Sequence, residues 1–156
     1  MRIAIGSDER THLTDFVVQT LQKQEHEVVL FGPLAENDPD SDWPLVSSHV
    51  AEAVAGGQAD QGIVFCWTGT GACMAANKVP GVRAALVHDA ETARGARIWN
   101  HANVLAFSLR LTPVGVAKEI LDAWFATSTA EGEAQSEWNL AQMAHLAAIE
   151  NRYRSA

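Results

Sequence analysis

Cys66 stands at the end of an apolar, β-branched run, Ile63-Val64-Phe65, and is followed by Trp67-Thr68-Gly69-Thr70-Gly71-Ala72. A thiol is a nucleophile or proton acceptor once ionised. It titrates near ~8.5 when unperturbed, so it acts as a base at neutral pH only where its surroundings favour the thiolate. A glycine-rich turn that opens a helix exposes backbone N–H groups able to hold an anion, and the helix end favours negative charge. One short peptide thus offers a base beside an oxyanion cradle. The same residues also read as a buried structural cysteine before an ordinary strand-to-helix turn, since free cysteine is among the most buried residue types. Local sequence leaves both readings open.

The elements that must position this peptide follow from periodicity. Strand-like runs at residues 3–6, 28–31, 63–66, 82–87 and 104–107 alternate with helical patterns. The helices are expected over residues 11–24, 45–54 behind Pro44, from the glycine turn to Lys78, and over 90–99, 112–126 and 133–154. Short strands joined by helices predict a parallel sheet between helical layers. The expected fold is a Rossmann-like three-layer α/β/α sandwich with a five-stranded parallel sheet and a C-terminal helix. Residues 1–156 read as a single domain, with no repeat, low-complexity tract or linker. In such sheets ligands bind outside the carboxyl ends of the strands, which is where Cys66 falls.

Composition narrows the function classes. Apolar residues make up 47% and charged residues 19% of 156, the balance of a globular protein. The net charge of −8 argues against a nucleic-acid surface, which needs clustered Lys and Arg. No apolar run approaches the roughly 20 residues that span a bilayer. Met1 leads directly into a strand pattern with no signal-peptide layout, so the expected location is the cytoplasm. Cys66 and Cys73 do not make a disulfide framework. The carboxylates between Glu36 and Asp42 are explained as turn formers, and no metal is expected.

Several motifs coincide in order and spacing: Gly6-Ser7-Asp8, Asp42-Trp43-Pro44, Cys66-Trp67-Thr68-Gly69-Thr70-Gly71, the run Ala75-Ala76-Asn77-Lys78-Val79-Pro80-Gly81-Val82-Arg83-Ala84, then Asn100-His101-Ala102-Asn103 and Arg110. Together they resemble the type B ribose-5-phosphate isomerase and galactose-6-phosphate isomerase family, over about residues 1–126 and more loosely the tail. The resemblance implies a dimer, with assembly into a tetramer left open, in which each active site is built from two subunits. It implies aldose–ketose isomerisation through an enediolate without metal or organic cofactor. By that likeness Cys66 is the catalytic base and Gly69, Thr70 and Gly71 form the anion hole, with Asn100 assisting. Thr68 aids ring opening, and Asp8 binds substrate hydroxyls.

The departures cluster. Glu9 replaces a histidine that contacts phosphate in the family, and Trp67 replaces a glycine. Trp99 replaces the ring-opening histidine, and no Arg or Lys lies between Lys118 and Arg152, where the family brings arginines to the phosphate. Arg110 alone remains of the phosphate-binding set. Loss of about three charge-assisted contacts, each worth about 1.5–3 kcal/mol, removes most phosphate affinity. The substrate expected is a small sugar or sugar derivative other than ribose 5-phosphate, best fitted by a non-phosphorylated polyhydroxy carbonyl compound. Asp8, Glu9, Trp67, Trp99 and Arg110 are expected to line its pocket, with Trp43 adding to an apolar wall. A non-catalytic binding or regulatory subunit on the same fold, paired with an active relative, is the alternative. His101 and His12 are candidates to replace the missing histidine, each with a structural role as the simpler reading.

Overall fold

Side-chain alternation along three central strands explains how this sheet sits between its helices. The structure, a computed structural model, describes residues 1–154; Ser155 and Ala156, the last two residues of the expected domain, lie outside the described residues. The strands β1 (Arg2–Ser7), β2 (Glu27–Phe31), β3 (Gln61–Cys66), β4 (Ala84–Leu86) and β5 (Val104–Ser108) form one parallel sheet in the order β2-β1-β3-β5-β4. The helices are α1 (His12–Lys23), α2 (Trp43–Ala55), α3 (Thr70–Ala76), α4 (Ala90–Asn100), α5 (Val114–Ala126) and α6 (Glu137–Arg154). Ile3, Ile5, Ile63, Phe65, Leu105 and Phe107 pack in a cluster with residues of α1, α4 and α5. Ala4, Val64, Cys66 and Ala106 alternate with them and pack with α2 and α3 on the other face.

That second face is built from small residues, which lets α2 lie close. A Cβ on Gly62 would come within 2.8 Å of Val50 Cγ1, and one on Gly6 within 2.7 Å of Val50 Cγ2. Cys66 belongs to this face, so its thiol is directed toward the α2 and α3 layer rather than the large-residue core. The chain passes from β1 to β2 on one side and returns to β3 on the other. The crevice beyond the carboxyl ends of β1 and β3 is therefore the topological switch point.

Four elements differ from their sequence expectation. β4 spans three residues rather than the six of 82–87, because the Asn77 amide takes the place of a strand partner there. Its Oδ1 accepts from Ala84 N–H at 2.8 Å and its Nδ2 donates to Ala84 O at 2.8 Å. α3 stops at Ala76, ahead of Pro80, whose lack of an N–H suits the turn that follows. α5 begins at Val114 because Pro113 takes an extended conformation at its N-cap. The tail is not one helix from 133. A 3-10 turn over Gly132–Gln135 is followed by extended Ser136, whose Oγ accepts from Asn139 N–H at the start of α6. Asn139 is the one α6 residue buried among the described residues, and Trp138, Leu146, Ile149 and Tyr153 are exposed.

Candidate active site

The carboxyl end of the sheet gathers one group of candidate residues. Cys66 is buried, and its Sγ accepts from the Ala72 N–H of α3 at 3.4 Å. Its carbonyl accepts from Gly69 N–H at 3.2 Å and Leu109 N–H at 3.0 Å, which locks the strand end and the turn together. Gly69 opens α3 with φ at +77°, where an added Cβ would lie 2.5 Å from Leu86 Cδ1 and 2.8 Å from Phe107 O. Only glycine satisfies both conditions. The Trp43 indole lies over Gly71, since a Cβ there would be 3.1 Å from Trp43 Cε3. Thr68 and Thr70 share a hydroxyl–hydroxyl hydrogen bond of 2.7 Å across the turn.

Asp8 follows the last residue of β1 at the same end. Ser7 Oγ donates to Glu9 O at 2.6 Å and accepts from Glu9 N–H at 3.2 Å, turning the chain sharply after the strand. Asp8 Oδ1 is buried and has no partner among the described residues. Burial pushes the Asp8 carboxyl above the usual carboxylate range, and the nearby Glu9 charge adds to this. An acceptor buried and unpaired at a switch point is suited to a ligand hydroxyl. Arg110 joins the group through its backbone, its N–H donating to Trp67 O at 2.9 Å, and its side chain is exposed. Trp67 is exposed beside it.

Trp99 and Asn100 lie elsewhere. They close α4, which returns from the carboxyl end of β4 to the amino end of β5. Cys66 is in register with Ser108 and Gly62 with Val104, so the two ends of the sheet are about 13 Å apart at ~3.3 Å per residue. Asn103 O accepts from Gly62 N–H, which fixes the segment after α4 at the amino edge. One chain therefore brings Asp8, Glu9, Trp43, Cys66, Trp67, Thr68, the glycine turn and Arg110 to one end and Trp99 with Asn100 to the other. The expected wall of three tryptophans is divided in the same way.

His101 takes the left-handed conformation (φ 45°) that ends α4, and its Nε2 lies 2.8 Å from Ala134 O. That bond ties the helix end to the tail and gives His101 a structural role in this chain. Arg83 donates its Nε–H to His101 O at 3.0 Å. His12 is the exposed first residue of α1. Asp38, in the acidic loop, accepts from Gly32 N–H at 2.7 Å and Asp40 N–H at 3.0 Å, the pattern of a turn. No group of three or more metal-ligating side chains is gathered among the described residues.

A model of the ribose/galactose isomerase family matches residues 3–140. The chain belongs to this family. It is 40% identical over 112 residues to the ribose-5-phosphate isomerase B of Escherichia coli, covering 72% of each chain. It is 38% identical over 127 residues to the D-erythrulose-4-phosphate isomerase of Pectobacterium atrosepticum, covering 80% of this chain and 82% of that one. The solved structure of Clostridium thermocellum ribose-5-phosphate isomerase B superposes with a TM-score of 0.87 at 36% identity, over 98% of this chain and 99% of that one. Both fold and family expected from the motifs hold, and the enzyme class is that of the aldose–ketose isomerases.

Two features of this family member escaped sequence reasoning. Trp99 Nε1–H donates to Glu133 Oε1 at 2.9 Å, a contact across 34 positions that no local pattern encodes. The fully buried Asn139 donates Nδ2–H to Ile98 O and Ala134 O, fastening the tail to α4. A lone polar residue in an otherwise exposed helix carries no periodic signal. The Asn77 amide pairing with β4 had a signal of a kind, since Asn77 stands just before the Pro80-Gly81 turn that precedes the edge strand.

Proposed function

We propose that this chain is a cytoplasmic, cofactor-independent aldose–ketose isomerase whose active site is shared between two copies of the chain. The observation that carries the reading is the Cys66 thiol at the switch point, in contact with the Ala72 N–H under a turn whose Gly69 admits no side chain. Cys66 as thiolate takes the proton from the carbon beside the carbonyl and returns it to the neighbouring carbon. The electron pair resides meanwhile on the enediolate oxygens. Backbone N–H groups of Thr70 and Gly71 are the donors for that charge, usually the largest single contribution to such catalysis, while Gly69, its own N–H held by Cys66 O, shapes the turn that presents them. Thr68 relays a proton in ring opening, Asp8 accepts from substrate hydroxyls, and Arg110 holds a single negative group where the substrate has one.

Asn100, at the far end of the sheet in its own chain, completes the site from a second copy. This also gives a role to the exposed apolar residues of α6, which in a lone chain face water. The substrate in this reading is a small sugar or sugar derivative other than ribose 5-phosphate.

Cys66→Ala is expected to abolish exchange of the substrate C2 hydrogen with solvent, and undiminished exchange overturns the mechanism. A fast ribose 5-phosphate reaction in the native protein overturns the substrate statement. The shared site has its own test. Cys66→Ala and Asn100→Ala, each inactive alone, are unfolded together and refolded. A symmetric dimer then regains about a quarter of native activity, since about half the dimers are mixed and each mixed dimer has one intact site. No regain means that both residues act within one chain.

A further inference from the structure

The contact between Trp99 and Glu133 places a carboxylate beside Asn100, and the tail is built to keep it there. Trp99 Nε1–H donates to Glu133 Oε1 at 2.9 Å, which leaves Oε2 without a partner among the described residues. Ala134, next in the chain, is buried, and its carbonyl meets His101 Nε2 at 2.8 Å and Asn139 Nδ2 at 3.0 Å. Asn139 Nδ2 also donates to Ile98 O at 2.9 Å. Three bonds thus hold the Glu133 segment against the last turn of α4.

The local charge is only partly offset, one cation facing two carboxylates. Arg94 is the cation near Glu133, and its guanidinium donates through Nε and Nη2 to the two oxygens of Glu91. No Lys or Arg occurs between Lys118 and Arg152. With its N–H occupied by Glu133, the Trp99 indole has no donor left for a ligand and presents only its ring.

We propose that Glu133, held by Trp99, is a specificity-determining residue that selects a substrate with an uncharged, hydroxyl-bearing end and rejects a phosphorylated one. This rests on the shared site proposed above, in which Asn100 of one copy faces Cys66 of the other and Glu133 travels with it. Glu9 arrives with Cys66, so the far end of the substrate lies between two carboxylates and the single Arg110. Carboxylates accept hydrogen bonds and have none to give, so they recognise hydroxyl donors. A phosphate dianion has only acceptors and meets like charge from two sides.

The experiment measures C2 hydrogen exchange on unphosphorylated aldopentoses and aldohexoses, each beside its terminal phosphate ester. It uses native protein, Glu133→Gln and Glu133→Arg, with inorganic phosphate titrated calorimetrically into all three. Native protein is expected to favour the unphosphorylated sugars. Glu133→Arg shifts the kcat/KM ratio toward phosphate esters at least about tenfold, through KM rather than kcat, and Glu133→Gln shifts it less in the same direction. Phosphate binds Glu133→Arg at least about tenfold more tightly than native protein. A native preference for phosphate esters overturns the proposal, as does a ratio unmoved by either variant. Cys66-dependent exchange on phosphate esters alone overturns this inference and leaves the isomerase reading standing. Where no sugar exchanges, equal phosphate affinity in native protein and Glu133→Arg overturns it, and tighter binding by the variant supports it.

Discussion

Gly69 and Gly81 share a backbone conformation, with φ at +77° and +83°, yet their surroundings are opposite. Placing alanine at either position forces an L-residue into the left-handed region, at about 1–2 kcal/mol. Restricting the unfolded chain returns about 0.4–1 kcal/mol. Nothing lies within 4 Å of a Cβ on Gly81, so Gly81→Ala is expected to lose about 1 kcal/mol. On Gly69 the same atom meets Phe107 O at 2.8 Å and Phe107 C at 2.9 Å, backbone in the middle of the sheet that cannot step aside. Overpacking of this kind adds about 1–3 kcal/mol, giving about 2–4 kcal/mol for Gly69→Ala. Urea unfolding of both variants, with m-values compared to the native protein, measures the difference directly. The turn must also shift to relieve the clash, which moves the Thr70 and Gly71 N–H groups from the position the proposed mechanism requires of them. Gly69→Ala is therefore expected to lose C2 hydrogen exchange while Gly81→Ala keeps it. Equal destabilisation of the two variants would refute the steric reasoning.

Other perturbations test neighbouring parts of the structure. Asn77→Ala leaves the Ala84 N–H unpaired on the β4 side and its carbonyl with only the weak Cys73 thiol donor at 3.4 Å, and urea midpoints are expected to show a loss of about 1–2 kcal/mol. Burial raises the Asp8 carboxyl, so its contribution to stability is present below the ordinary value near ~3.9 and lost as pH rises through the raised one. Asp8→Asn is accordingly expected to be more stable than native protein near neutral pH, to match it in strong acid, and to lose activity. Asp38 is held low by the Asp40 and Gly32 N–H groups, the opposite case. Its contribution is present above ~3.9 and lost as pH falls through the lowered value, so Asp38→Asn is expected to be less stable near neutral pH and no different in strong acid. Parallel melts across pH check both signs.

The elements that sequence made legible are those whose signal is local. The continuous apolar run Ile63-Val64-Phe65-Cys66 marks β3 as a strand buried on both faces, and Gly69 and Gly71 mark a turn that side chains cannot occupy. Pro44 in the first turn of α2 and the alternating strand and helix patterns gave the layer order of the sandwich. Boundaries were less legible where a side chain satisfied the backbone in place of a regular partner, as Asn77 does for β4 and Ser136 does for the break before α6. The place of Cys66 at the carboxyl end of the sheet was legible, and the separation of Trp99 and Asn100 from it was not.

By itself, then, the sequence determined the fold class and the thiol beside a glycine turn, because both follow from patterns along the chain. It also determined the loss of basic residues in the tail. Only the tertiary structure decided that Trp99 and Asn100 stand at the opposite end of the sheet from Cys66, because a helix returning antiparallel to the strands carries its last residues to the amino edge. Only the tertiary structure decided that Glu133 binds the Trp99 indole, since that contact depends on how Asn139 and His101 fasten the tail to α4. Proximity in space between distant residues is set by packing, and packing is not written in any window of the chain.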